Sequence, residues 1–302
     1  MKKVLIYGTS NKAIRELPGI LITFNLVGFV DSNPKKSDQH LLGYQVFHYS
    51  ELKNVDFDLI VICSAFSAEI IETLKSLQIT NYINSSEHPL LQSVNKDLAN
   101  YQSELKSKEL QNIPQTPLLE QHIDCCQMLT NRIELLKKLP KHGTAVELGV
   151  ATGSFSKCIL EYASPSKLYL VDVWGSQRYN QGLLDNIQQL FNTQVQANEV
   201  VIKRKLSHEA VSDFPDQYFD WIYIDTTHKY KQTKLELELY AAKMKPGGII
   251  AGHDYSMGNW AKSFRYGVIE AVHEFCVTHN WRLKYLTMDI SENQSFAIEK
   301  IN

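Results

Sequence analysis

The chain has 302 residues, 44% apolar and 21% charged, with a formal net charge of −2 at pH 7. That length exceeds what one core usually fills, so two domains are expected. The near-neutral charge carries no footprint of a nucleic-acid or anionic-membrane binder, and no stretch reaches the ~20 apolar residues of a membrane span.

Five cysteines (Cys63, Cys125, Cys126, Cys158, Cys276) lack metal-ligand or redox spacing and read as reduced thiols. The opening apolar run stops at Gly8, too early for a signal-peptide core, so a cytoplasmic protein is expected.

In chain order, Lys3-Val-Leu-Ile-Tyr7, Leu26-Val-Gly-Phe-Val30, Asp58-Leu-Ile-Val-Ile-Cys63 and the short Asn81-Tyr-Ile-Asn84 read as strands. A helix is expected over about 68–77. Short apolar runs alternating with helices predict a parallel sheet with covered faces, here a small α/β domain over 1–88. Residues 89–117 form a polar helical linker, closed before Pro114 and Pro117 because proline disfavours helix at the residue before it. A second helical stretch is expected over 118–139, and the 89–139 helices are a candidate homo-oligomer surface.

The third segment, 118–302, alternates again. Strands are expected at Thr144-Ala-Val-Glu-Leu148, Lys167-Leu-Tyr-Leu-Val-Asp172, Glu199-Val-Val-Ile-Lys203, Phe219-Asp-Trp-Ile-Tyr-Ile-Asp225 and Gly248-Ile-Ile-Ala-Gly252, with a helix over 232–245. Trp281-Arg-Leu-Lys-Tyr-Leu-Thr-Met288 and Ser295-Phe-Ala-Ile298 predict a C-terminal antiparallel hairpin on a mostly parallel, doubly wound sheet. Such sheets bind ligands at the carboxyl ends of their strands. Glu147, Asp172, Asp225 and the pair His253-Asp254 all fall at or just after strand ends, so one rim should gather them.

The loop after the first of these strands reads Glu147-Leu-Gly149-Val-Ala-Thr-Gly153. Its spacing is neither the Gly-x-Gly-x-x-Gly of a nicotinamide site nor a phosphate-cradling Gly-Lys-Ser/Thr. A cofactor without a pyrophosphate is favoured, and the sulfonium cation S-adenosylmethionine fits best.

Residues from about 118 to 302 resemble class I S-adenosylmethionine-dependent methyltransferases. Within that class they resemble the branch of macrocin-type sugar O-methyltransferases and cephalosporin-hydroxylase-like proteins. The resemblance rests on Asn131-Arg-Ile-Glu-Leu-Leu136, Val146-Glu-Leu-Gly-Val150, Leu170-Val-Asp-Val-Trp174, Tyr223-Ile-Asp225 with His228, and Lys245-Pro-Gly-Gly-Ile-Ile-Ala-Gly-His-Asp-Tyr255. It implies that the loop through Gly149 and Gly153 lies under the methionine part of the cofactor. Asp172 would bind ribose hydroxyls, and Glu147 would hold the cofactor through water or amides. Trp174 and Ser207 would lie near the adenine, with Val173 and Asp225 also among the cofactor-binding residues.

The resemblance also implies a divalent metal on Asp225, His253 and Asp254, magnesium in the relatives, although imidazole suits softer ions. His228 is implied as the general base, because a sugar hydroxyl needs a base near neutral pKa. The expected acceptor is a hydroxyl on a small molecule or glycan of polysaccharide or natural-product biosynthesis. The segment from Tyr255 through Trp260 to Arg265 is the candidate acceptor-facing stretch. Two alternatives stay open: a non-catalytic binding module, and a metal-dependent oxidase or hydroxylase holding iron on the His-Asp pair.

The N-terminal stretches Val4-Leu-Ile-Tyr-Gly8, Gly28-Phe-Val-Asp31 and Leu42-Gly-Tyr-Gln-Val46 resemble the Rossmann-like domain that precedes polysaccharide-modifying enzymes and contacts a sugar nucleotide. With only Gly8 where a dinucleotide loop carries three glycines, NAD binding is not expected. Nucleotide-sugar or glycan recognition and an architectural or dimerising role remain two open readings.

Overall fold

The computed structural model describes residues 1–259 and 264–301. The chain divides into two compact units, Met1–Gln111 and Asn112–Asn302. Among the described residues no helix is long and apolar enough to cross a membrane.

Unit 1 runs β1 (Lys3–Tyr7), α1 (Asn11–Thr23), β2 (Asn25–Asp31), β3 (His40–Leu41), β4 (Tyr44–His48), β5 (Leu59–Ile62), α2 (Ser67–Ser76), β6 (Tyr82–Asn84) and α3 (Pro89–Leu110). The sheet order is β3-β4-β2-β1-β5-β6, parallel except for the β3–β4 pair. That pair, not anticipated as strands, is joined by Leu42 at φ 53° and Gly43 at φ 84°. Two consecutive positive-φ residues match the twist a tight hairpin requires. Helix α3 seats Leu91 in the core under α1, while Tyr101 and Leu105 farther along are exposed.

Unit 2 runs β7 (Gln127–Leu129), α4 (Arg132–Lys138), β8 (Thr144–Leu148), α5 (Ser154–Cys158), β9 (Lys167–Asp172), α6 (Gln181–Leu190), α7 (Asn192–Gln196), β10 (Val200–Arg204), α8 (Ser207–Ala210), β11 (Phe219–Ile224), α9 (Tyr230–Ala241), β12 (Met244–Gly252), β13 (Gly258–Asn259), β14 (Phe264–Arg265), α10 (Val268–His279), β15 (Trp281–Thr287) and β16 (Phe296–Lys300). The main sheet order is β10-β9-β8-β11-β12-β16-β15-β7. Strands β10 to β12 in that order pair in parallel, and β16 is antiparallel to both β12 and β15. This is a mixed α/β, mostly parallel sheet with the expected antiparallel C-terminal hairpin. The order reverses between β8 and β11, which makes the crevice above those two strands the topological switch point. Two apolar clusters cover the sheet's faces. One holds Leu148, Ile222, Ile224 and Phe296; the other holds Ala145, Trp221, Tyr223 and Trp174.

Two sequence expectations need correction. Residues 118–139 are not one helix: Gln127–Leu129 pair with Tyr285–Thr287 as an edge strand, and helix starts only at Arg132. The reason is local. The Asn131 side chain accepts from the amides of Ile133 and Glu134 at 3.0 and 3.1 Å, an N-cap that begins a new helix and frees the preceding residues to join β15. The helix expected over 232–245 ends at Ala241, and Met244 already belongs to β12. There the register bulges and Gly247 takes φ 75°.

Candidate active site

At the switch point, the turn after β8 passes the turn after β11 almost at contact. Gly149 sits at φ 90°, and a Cβ on it would stand 2.0 Å from the carbonyl oxygen of Asp225. Sequence reasoning gave this glycine to ligand approach; the immediate demand is that two backbone turns cross. Gly153, at φ 75°, is required in the same sense, because its Cβ would meet Ile187 Cδ1 at 2.5 Å.

Above this crossing lies a cavity of about 420 Å³. Of the residues singled out from sequence, Glu147, Gly149, Asp172, Val173, Ser207, Asp225 and His228 line it. Gly153, Trp174, His253 and Asp254 are not in its lining. Trp174 is fully buried in the core, its indole N–H donating to the Ala151 carbonyl at 3.1 Å. Its backbone φ of 40° turns the ring inward. Trp260 of the acceptor-facing segment lies outside the described residues.

Asp172 does something the sequence did not disclose. Its Oδ2 accepts from the amides of Val150 and Ala151, both at 2.9 Å, and its Oδ1 accepts from the Trp174 amide at 3.2 Å. Ala151 and Trp174 are both non-glycine residues with positive φ, a costly conformation. One carboxylate therefore pins the two turns that flank the cavity.

Glu147 is buried beneath the cavity and accepts from Ser156 Oγ at 2.5 Å. Burial, reinforced by the nearby Asp225 and Asp172 charges, pushes its carboxyl up to about 8. Asp225 is also raised by burial, against the pull of His253 and His228. Asp254 is the opposite case. Burial would raise it, but hydrogen bonds from both histidines outweigh that and hold it far below the usual carboxylate range.

Those hydrogen bonds define the centre. His228 Nδ1 lies 2.9 Å from Asp254 Oδ2, and His253 Nδ1 lies 3.3 Å from Asp254 Oδ1. Asn293 Nδ2 donates to Asp254 Oδ1 at 2.5 Å. An ionised carboxylate only accepts, so both imidazoles present Nδ1–H to it and leave their Nε2 atoms unprotonated when neutral. His228 holds φ 59° and Asp254 φ 59°, so both side chains are aimed by unusual backbone.

Asp225, His253 and Asp254 offer ligand atoms that all lie within 4.8 Å of one another. His253 Nε2 is buried with no hydrogen-bond partner. An orphaned imidazole nitrogen beside two carboxylates fits a divalent cation that accepts mixed nitrogen and oxygen ligands.

Arg132 was missed by sequence reasoning as a site residue. Its guanidinium lies 4.5 Å above the Phe155 ring, pairs with Glu292 at 2.7 Å, and lines the cavity. Glu292 and Asn293 belong to the turn between β15 and β16, remote in sequence from the strand ends. Nothing in their local sequence marks them.

Residues 146–255 match the family model of a methyltransferase domain. That stretch of unit 2, from β8 to just after β12, is therefore similar to a methyltransferase domain. The mostly parallel sheet around it is the Rossmann-like arrangement expected of such a domain. Residues 1–83 match a second family model, described as C2185-like, N-terminal. No curated protein matches the chain.

Among solved structures, the chain is similar to a putative rRNA-methylase from Clostridium thermocellum at 15% identity, covering 57% of this chain and 99% of that one (TM-score 0.42). It is similar to a SAM-dependent methyltransferase from Aquifex aeolicus at 14% identity, covering 66% and 98% (TM-score 0.43). A putative type 11 methyltransferase from Sulfolobus solfataricus aligns at 16% identity over 54% and 86% (TM-score 0.39). The likeness to a methyltransferase domain rests on the family match over residues 146–255, not on these distant structures.

Proposed function

We propose that unit 2 transfers the methyl group of S-adenosylmethionine to a hydroxyl of a sugar or sugar-containing small molecule, with His228 as general base. The observation that carries this reading is that His228, in the wall of the cavity, is held by Asp254 behind it at 2.9 Å.

When bound, the sulfonium donor supplies an activated methyl group, so the protein's share is alignment and removal of one proton. The acceptor oxygen forms its bond to the methyl carbon as the carbon–sulfur bond breaks toward sulfur. The hydroxyl proton goes to His228 Nε2, and Asp254 stabilises the resulting imidazolium through Nδ1–H. Asp172 would present its remaining acceptor capacity to ribose hydroxyls while it holds the loop through Gly149. A divalent cation on Asp225, His253 and Asp254 would lower the pKa of a hydroxyl bound to it. Arg132 supplies a cationic group at the cavity wall for a ligand carboxylate.

The test is calorimetric titration with S-adenosylhomocysteine, with and without magnesium. Micromolar binding that is lost in Asp172→Ala, with the fold retained by circular dichroism, supports the reading. An absence of binding under both conditions overturns it. His228→Ala should keep product-analogue binding and lose turnover.

A second reading concerns unit 1 and is favoured by its own crevice. A cavity of about 650 Å³ lies at the carboxyl ends of β1, β2 and β5, lined by Gly8, Thr9, Asp31 and Lys36 among others. Gly8, at φ 124°, lies so close to the neighbouring strand end that a Cβ on it would stand 2.7 Å from the Cys63 carbonyl oxygen. Lys36 offers a cation and Asp31 an acceptor, the pair a nucleoside diphosphate sugar would use. Calorimetry with a uridine diphosphate sugar, compared between the native chain and Lys36→Ala, tests it; a flat titration of the native chain removes the reading.

A further inference from the structure

Glu236 on α9 is fully buried, carries a carboxylate, and has no part in the proposed reaction. Its partners are what give it meaning. Oε1 accepts from Ser207 Oγ at 2.5 Å and from Gln232 Nε2 at 2.8 Å, and Oε2 accepts from Thr226 Oγ1 at 2.8 Å. Ser207, Thr226 and Gln232 come from three different elements, and all three line the donor cavity.

The hydrogen-bond directions follow from the carboxylate. The only proton of the Ser207 hydroxyl is committed to Glu236, so toward Gln232 its oxygen can only accept. Gln232 Nε2 lies 3.0 Å from Ser207 Oγ and 2.8 Å from Glu236 Oε1. Both amide protons are therefore spent on the buried side, and the amide cannot turn over without facing two acceptors. Burial raises the Glu236 carboxyl. A proton taken up there sits on Oε2 toward Thr226, because Oε1 already has two donors, so the Gln232 orientation survives either state.

We propose that Glu236 is a positioning residue that locks the Gln232 carboxamide with Oε1 toward the cavity, making Gln232 the acceptor that selects the 6-amino group of the donor's purine. The inference rests on the donor reading of this cavity given above. A 6-oxo purine places an acceptor where the 6-amino donor should be, and a fixed carbonyl rejects it.

The experiment compares S-adenosylhomocysteine with its 6-oxo counterpart, S-inosylhomocysteine, by calorimetry on the full chain. The native protein should favour the amino form by at least about tenfold, the value of one hydrogen bond. Gln232→Met, at a partly exposed position, should bring that ratio close to one. Glu236→Met should bring it close to one as well, through an unfixed Gln232, and the double variant should be no worse than either single change. A merely structural Glu236 would weaken both ligands equally and keep their ratio. Equal binding of the two ligands by the native chain, or an unchanged ratio in Gln232→Met, overturns the proposal while the donor reading stands. Failure of the native chain to bind S-adenosylhomocysteine at all removes the donor reading and this proposal together.

Discussion

The two units share a construction and differ in charge. Each has a parallel sheet, a positive-φ glycine ending its first central strand, and a crevice at the strand ends. In unit 1 the crevice carboxylate, Asp31, is neutralised: Lys36 Nζ donates to it at 2.8 Å and Thr9 caps the same oxygen. In unit 2, Glu147, Asp172, Asp225 and Asp254 crowd one rim, with His228, His253 and Arg132 as the compensating groups. A sheet end that only binds can pair its charges. One that moves protons keeps groups whose ionisation is held away from ordinary values, and burial supplies that at the expense of stability.

The largest expected effect separates the units by chemistry. His228→Ala should lower turnover by roughly a thousandfold, within the range a positioned general base supplies. Asp254→Asn should lose nearly as much, because the amide can donate to Nδ1 and turn the imidazole to the wrong tautomer. Radiometric methyl transfer to a sugar acceptor measures both. Turnover within threefold of native in either variant would reduce unit 2's rim to a binding role of the kind proposed for unit 1.

The next effect tests the shared glycine. Ala at position 149 places a methyl group 2.0 Å from a backbone oxygen that cannot move without shifting β11, whereas at position 8 the nearest atom is the Cys63 oxygen at 2.7 Å. Gly149→Ala should cost on the order of 3 kcal/mol or more, and Gly8→Ala less. Denaturant unfolding with hydrogen exchange to localise the loss checks the order; a larger loss at position 8 would refute the crossing of turns as the tighter constraint.

Much of this rim was legible in the sequence, for a physical reason. Buried parallel strands are short apolar runs, so a carboxylate or histidine that ends one is conspicuous, and Glu147, Asp172, Asp225, His253 and Asp254 were located that way. Arg132, Glu236, Glu292 and Asn293 were not, because their roles depend on partners up to 39 residues away in the Asn293–Asp254 bond, and farther in the Arg132–Glu292 pair. Strand β7 was hidden for the same cause: three residues have no periodicity of their own, and their pairing with β15 decides their state. Trp174 shows the reverse error. A tryptophan after a strand invites a ligand role, yet the amide bonds of Asp172 set a backbone turn that sends the ring into the core.

A third, smaller effect is one of sign. Glu147 has a folded pKa near 8 against an ordinary 4.5. Between those values the folded state holds a proton that the unfolded chain has lost, so its contribution is full below about 4.5 and disappears as pH rises through about 8. Glu147→Gln should remove that loss. In unit 1, burial alone would raise Asp31, but the bonds from Lys36 and Thr9 outweigh it and lower its pKa. Its contribution is present above about 3.8 and fades as the solution is acidified. Urea unfolding from pH 4 to 9 should therefore show a Glu147-dependent fall with rising pH; a slope unchanged in Glu147→Gln would contradict the buried neutral carboxyl.

The smallest effect belongs to the pair that makes unit 1 quiet. The Lys36 side chain is 43% exposed and that of Asp31 16%. A pair so open to solvent is worth less than about 1 kcal/mol, and part of that is screened by salt. Lys36→Met should therefore lower stability by no more than that. It also removes a lowering influence from Asp31, so the acid-induced loss in unit 1 should shrink and move toward the ordinary carboxylate range. Unfolding measured at pH 7 and pH 3, at low and high salt, reads both changes. A loss well above 1 kcal/mol, or one insensitive to salt, would mean that the unit 1 carboxylate is held as tightly as those of unit 2, and the contrast between a paired crevice and a charged one would fail.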